Sequence, residues 1–233
     1  LGGKSPTIVL ADADLNLAIP GAANAIFPNS GQICTAGSRL LIDASIYDEV
    51  IQGVTEIARG LKLGSGFDPS VQLGPLVSSR QLERVSGLVA QGIDEGAEPL
   101  CGGGRATDTG YFFQPTVLSG GRSEMRIAQE EIFGPVVLAM AVQDPQDIKA
   151  LANDTAFGLG ASIWTQDINK AHLLAAQLDC GTVWINTHNV LDLAMPFGGT
   201  KLSGLGREFG TEVVHAYTEP RAVCMRLESP AFG

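Results

Sequence analysis

Apolar residues fall along the chain in two alternating rhythms. Short runs of five to seven, filled with Val, Ile and Leu, read as strands: "TIVLAD" (7–12), "RLLID" (39–43), "FFQPTVL" (112–118), "PVVLAMAV" (135–142), "GASIWT" (160–165) and "TVWIN" (182–186). Between them lie stretches of helical period. "DADLNLAIPGAANAIF" (12–27) opens on an aspartate suited to capping a helix, and "DEVIQGVTEIARGL" (48–61) and "SRQLERVSGLVAQGIDEG" (79–96) follow, the last closed by a glycine. Further helices are predicted at "EMRIAQEE" (124–131), "PQDIKALAND" (145–154) and "INKAHLLAAQL" (168–178). Strands apolar on both faces, taken in turn with helices, predict an α/β fold: a doubly wound, mostly parallel sheet with helices on both faces. We divide the chain into a main domain over 1–210 and a tail over 211–233, where "AYTEPRAVCMRL" (216–227) reads as an extra strand available for oligomerisation by edge addition.

Composition narrows the function. With 233 residues and 45% hydrophobic content the chain can bury a sizeable core. Its 15 basic against 25 acidic residues give a net charge of −10, which argues against nucleic acid and against anionic membranes as partners. No apolar run approaches the roughly 18 residues of a membrane span, and no secretory signal is visible, so we expect a cytoplasmic protein. Histidines 172, 188 and 215 fit no metal spacing and read as surface or loop residues.

Four cysteines, at 34, 101, 180 and 224, lie far apart, and reduced thiols are expected. Cys101, Cys180 and Cys224 read as structural. Cys34 differs, because "NSGQICTAGSR" (29–39) surrounds it with small polar residues and glycines that let the backbone turn tightly and leave the sulfur accessible. Backbone amides in such a turn would lower the thiol pKa, as a nucleophile requires.

"LGGKSP" (1–6), "GQICTAGSR" (31–39), "EEIFGPV" (130–136) and "PFGGTKLSGLGREFG" (196–210) together resemble the aldehyde dehydrogenase superfamily, in order and spacing, over essentially the whole chain. The resemblance implies that Cys34 attacks an aldehyde to give a thiohemiacetal, that hydride passes to NAD or NADP, and that water hydrolyses the resulting thioester. It also implies cofactor contacts at Glu131 (ribose hydroxyls), Phe133 (nicotinamide side), Gln81 and Arg84, and an aldehyde tunnel lined by Ile33, Thr35, Leu191 and Phe197. "THNVLDLAMPFGG" (187–199) is similar to members acting on arylacetaldehydes. Asn186, Lys201 and Arg207 match the family pattern as residues that hold loops. The family's general-base glutamate directly precedes "LGGK", and no G-x-G-x-x-G occurs here. We therefore expect a cofactor-binding half and the base ahead of Leu1, and the 233-residue chain alone to be inactive. Two alternatives stay open: a cofactor-free cysteine hydrolase or acyltransferase pairing Cys34 with a base such as His215, and a non-catalytic assembly domain.

Overall fold

The computed structural model describes residues 2–227. Strand β1 (Pro6–Val9) leads through helix α1 (Leu15–Ile26) to β2 (Arg39–Asp43), followed by α2 (Tyr47–Gly60) and α3 (Ser79–Asp94). Then come β3 (Glu98–Cys101), β4 (Thr116–Ser119), α4 (Arg126–Gln129), β5 (Val136–Val142) and α5 (Ile148–Asn153). β6 (Phe157–Gly158), β7 (Gly160–Trp164), α6 (Ile168–Ala175), β8 (Thr182–Ile185), β9 (Thr200–Lys201) and α7 (Glu212–Ala216) complete the chain. Seven strands form one sheet in the order β3-β4-β5-β2-β1-β7-β8, parallel except for the β3–β4 pair, and β6 and β9 form a small antiparallel pair.

Strand alternation explains the doubly wound form. Val9, Leu40, Ile42, Val117, Val137 and Ala139 pack with α1 and α2 on one face. Their sequence neighbours Ile8, Leu41 and Met140 pack with α5 on the other, and Leu118, Val136 and Leu138 pack there with α3. Asp14 caps α1 by accepting the Asn16 N–H at 3.0 Å, two residues beyond the aspartate on which the segment opens.

Three expectations need correction. The helix read over 124–131 holds for only four residues, because Glu130 is already extended (ψ 142°) on the way to Pro135. The strand β3 was not foreseen: "EPLC" carries Glu and Pro and sits at an edge, where one neighbour suffices. The tail strand does not form; a short helix, α7, is followed by irregular chain over 217–227, and residues 228–233 lie outside the described part. A strand without a neighbour has no ladder to pair with, and Pro220 removes one donor. Cys224, read as structural, is exposed there.

Arg39, at the start of β2, is completely buried and faces no carboxylate. Its Nε donates to Lys4 O (2.9 Å), Nη1 to Leu151 O (2.9 Å) and Nη2 to Ala152 O (2.7 Å), so one guanidinium ties the lead-in to β1 to the last turn of α5. Carbonyls at a helix C-terminus carry partial negative charge, which is what lets a cation sit there. Burial nevertheless pulls its pKa down to about 10, with Asp154 opposing. An apolar replacement would strand three carbonyls, so the usual near-neutrality of swapping a whole ion pair for hydrocarbon does not apply. We expect Arg39→Met to lower the unfolding free energy by about 3 kcal/mol or more in urea titration.

Candidate active site

Three lead-in segments meet at the amino edge of the parallel sheet: Gly2–Ser5 before β1, Asn29–Ser38 before β2, and Glu130–Pro135 before β5. The first passes between the other two. Gly3 donates its N–H to Glu131 Oε1 at 3.0 Å, and a methyl on Gly3 would overlap the Cys34 carbonyl oxygen. The turn before Cys34 runs through positive φ at Asn29 (52°), Ser30 (54°) and Gly31 (69°). A side chain on Gly31 would strike the Gly134 carbonyl, so glycine is required both for conformation and for the approach of the two loops. Gln32 stitches the turn to its neighbour by accepting the Val77 N–H at 2.9 Å.

Cys34 is half-buried, not freely exposed. Its pKa is raised, contrary to the expectation of a depressed thiol: burial is the largest cause, the Glu131 carboxylate adds to it, and the backbone amides of Cys34 and Thr35 pull the other way without prevailing. Desolvation outweighs them.

Glu131 and its neighbour Glu130 divide their roles. Glu130 forms surface ion pairs with Arg126 and Arg84 (3.5 Å), and the Arg126 hydrogen bond lowers its pKa first. Glu131 turns toward Gly2 and Gly3, its Oε2 without a hydrogen bond among the described residues. Behind it Lys4 is fully buried, its Nζ likewise unpaired, and burial drives its pKa well below the ordinary value while Glu131 and Glu130 hold it up. Phe133, half-buried, sits at φ 55°. Gln81 and Arg84 meet this same loop: Gln81 Nε2 donates to Ile132 O (3.0 Å) and Phe133 O (2.8 Å), and Arg84 Nη2 to Glu131 O (2.8 Å). Their polar atoms are engaged by the backbone that carries Glu131 and Phe133.

The four residues assigned to a tunnel differ in their surroundings. Ile33 packs against the α1–α2 core, and Phe197 pairs with Phe209 at 6.5 Å between ring centroids. Leu191 is exposed. Thr35, 4% exposed, is buried rather than facing an open channel, and its Oγ1 donates to Asn189 Oδ1. Asn186 closes a reciprocal pair with Thr165 (3.0 and 2.9 Å), Lys201 caps the Asn153 and Thr155 carbonyls, and Arg207 holds Gly199 and Gly206 (2.7 Å each). Loop-holding is what those three were expected to do. Among the described residues no cluster of His, Cys, Asp or Glu could hold a metal. Cys180, half-buried, has its pKa pushed up to about 11 by burial.

His188 escaped the sequence reading. Placed there among surface or loop residues, it is 7% exposed, and its Nε2 lies 2.9 Å from the Thr35 carbonyl. Its ring packs on Trp184 at 4.9 Å between centroids, tilted 46°. Burial lowers its pKa to about 4, the Thr35 carbonyl opposing. His215, by contrast, is exposed on α7, which leaves the hydrolase alternative without a histidine on the Cys34 sulfur. Because the unfolded chain takes up the His188 proton near 6.5 and the folded one only near 4, stability is full above that window and falls as pH drops through it. We expect urea unfolding to lose about 2 kcal/mol from this group between about pH 7 and about pH 4.5, and His188→Gln to remove that part of the pH dependence.

A model of the "Aldehyde dehydrogenase family" matches residues 1–223. The chain is 47% identical over 228 residues to a putative aldehyde dehydrogenase, DhaS, of Bacillus subtilis, covering 98% of this chain and 46% of that protein. It is 45% identical over 225 residues to a phenylacetaldehyde dehydrogenase of Pseudomonas fluorescens, covering 96% and 45%. Among solved structures, an NAD+ complex of aldehyde dehydrogenase from Bacillus cereus superposes with TM-score 0.92 at 46% identity (94% of this chain, 45% of that one). The aldehyde dehydrogenase KauB from Pseudomonas aeruginosa gives 0.94 at 42% identity (97% and 46%). The chain thus spans about half the length of the relatives it matches. On the family match, these identities and the superposed fold, this chain belongs to the aldehyde dehydrogenase family.

Proposed function

We propose that this chain is the nucleophile-bearing half of an NAD(P)-dependent aldehyde dehydrogenase that oxidises an aldehyde to a carboxylic acid. The observation that carries the reading is Cys34, half-buried just after a strained turn, with the Glu131 carboxylate near enough to raise its pKa. Family membership and relatives named for aldehyde oxidation support it.

The chemistry follows from the site. With its pKa raised, the resting sulfur is a thiol, so a base must take its proton before attack. The thiolate then adds to the aldehyde carbon, and the proton-free oxygen of the adduct is met by N–H groups such as that of Cys34. A bound NAD(P) supplies the acceptor for the hydride that leaves this carbon. Cys34 keeps the acyl group as a thioester until water adds and the sulfur departs, giving the acid. Glu131, with one acceptor oxygen still free, suits a ribose hydroxyl, and Phe133 offers its ring to the nicotinamide side. Gln81 and Arg84 act at this end by fixing the carbonyls of 131–133. The exposed Leu191 and the Phe197 ring favour an apolar aldehyde, and the arylacetaldehyde class fits them best. The uncovered apolar tail suits assembly into a homo-oligomer.

Two measurements on the purified chain test the reading. A p-nitrophenyl ester should leave its acyl group on Cys34, seen as a mass increase on the peptide containing it and lost in Cys34→Ala. Acylation spread over Cys101, Cys180 and Cys224 instead would defeat it. The same chain, given phenylacetaldehyde and NAD+ or NADP+, should release no reduced cofactor, since positioning of both reactants can contribute about 7 kcal/mol or more.

A further inference from the structure

Thr35 is held at two points by one loop. Its hydroxyl donates to Asn189 Oδ1, and its carbonyl meets His188 Nε2 at 2.9 Å. The loop is itself anchored to β8: the His188 ring lies on Trp184, whose Nε1 donates to Val190 O at 2.8 Å. Thr35 matters because it directly follows Cys34 in the chain, so the peptide that leaves the thiol-bearing residue ends on it. Holding its carbonyl and side chain therefore limits how far the backbone just beyond Cys34 can shift.

The protonation state follows from the partner. A carbonyl only accepts, so Nε2 must carry the hydrogen; Nδ1 is then a bare lone pair, and it is buried without a hydrogen-bond partner. An imidazole so placed has given up one hydrogen-bonding site to burial, which a mere space-filler such as Phe would not require.

We propose that His188 is a positioning residue for Cys34: its neutral, Nε2-protonated imidazole clamps the Thr35 carbonyl and so couples the loop carrying Leu191 to the thiol-bearing turn. This rests on the reading of Cys34 as nucleophile. The clamp makes the nucleophile turn and the aldehyde-side loop one mechanical unit. Movement of either reaches Cys34 through one residue, Thr35.

Alkylation of Cys34 by iodoacetamide in the full chain, followed by peptide mass across a pH series, tests it. His188→Phe keeps a ring against Trp184 but has no donor, and should slow Cys34 about tenfold at neutral pH and move its profile upward. His188→Gln, which restores an N–H, should recover most of that rate. A wild-type profile in the Phe variant, or a Gln variant as slow as the Phe one, overturns the clamp. Nitrogen NMR of the wild-type chain gives a second readout that needs no variant: the expected signal is a protonated Nε2 and bare Nδ1, unchanged down to about pH 5. A protonated Nδ1 tautomer overturns the clamp equally. Should wild-type Cys34 itself fail to react, the aldehyde dehydrogenase reading falls, and the tautomer alone decides the role of His188.

Discussion

The site depends on a close backbone approach that only glycine permits. Residues 2–4 run between the Cys34 carbonyl and the Glu131 carboxylate, and Gly3 can do so because it has no side chain to collide with the former while its N–H binds the latter. Gly31 repeats the device one loop over, against the Gly134 carbonyl. These contacts bring the lead-ins to β1, β2 and β5 together at the amino edge of the sheet. Open α/β sheets more commonly place ligands beyond the carboxyl ends of their strands, where βα turns diverge and leave a crevice. At the amino edge, the bare backbone of residues 2–4 threaded between the two loops brings Cys34 and Glu131 together.

That arrangement sets the electrostatics. Packing the turn tightly removes water from Cys34, and the resulting desolvation outweighs the pull of the nearby backbone amides, so the thiol pKa is raised. Below it lie two fully buried cations with very different support. Arg39 has three carbonyls for its fork and keeps its charge; Lys4 has no hydrogen bond on Nζ, and only the attraction of Glu131 and Glu130 counters its burial. Glu131 therefore faces Gly3, Lys4 and Cys34 at once. Its charge raises both neighbouring pKa values, favouring a protonated lysine and a protonated thiol together.

Much of this was legible beforehand, and the failures have physical causes. Strands buried on both faces announce themselves as apolar runs, so β1, β2, β4, β5 and β7 were visible, and the edge strand β8 showed by its Val, Trp and Ile. β3, an edge strand, buries too little to leave such a trace. Cys34 stood out by its small neighbours, but the sign of its pKa did not, because desolvation is set by residues distant in sequence. His188 was missed for the same reason: a histidine between two asparagines reads as a polar loop until the fold lays the loop over Thr35. The pair Asn186 and Asn189 was a usable signal, since asparagine adopts positive φ more readily than most residues, and both do so here (53° and 58°).

The tail sharpens the difference between pattern and pairing. Val223, Met225 and Leu227 recur every second residue, the period of a strand, yet they are 79%, 73% and 84% exposed and no ladder forms. The strand expected over 216–227 does not form within the chain, because sequence pattern does not specify the neighbour a strand needs. An extended segment gains its hydrogen bonds and covers its apolar side only when another strand lies beside it. The segment 217–227 remains irregular, with its apolar side chains exposed. Pro220 falls before the periodic part, so the donors needed for such a ladder from Val223 onward remain intact.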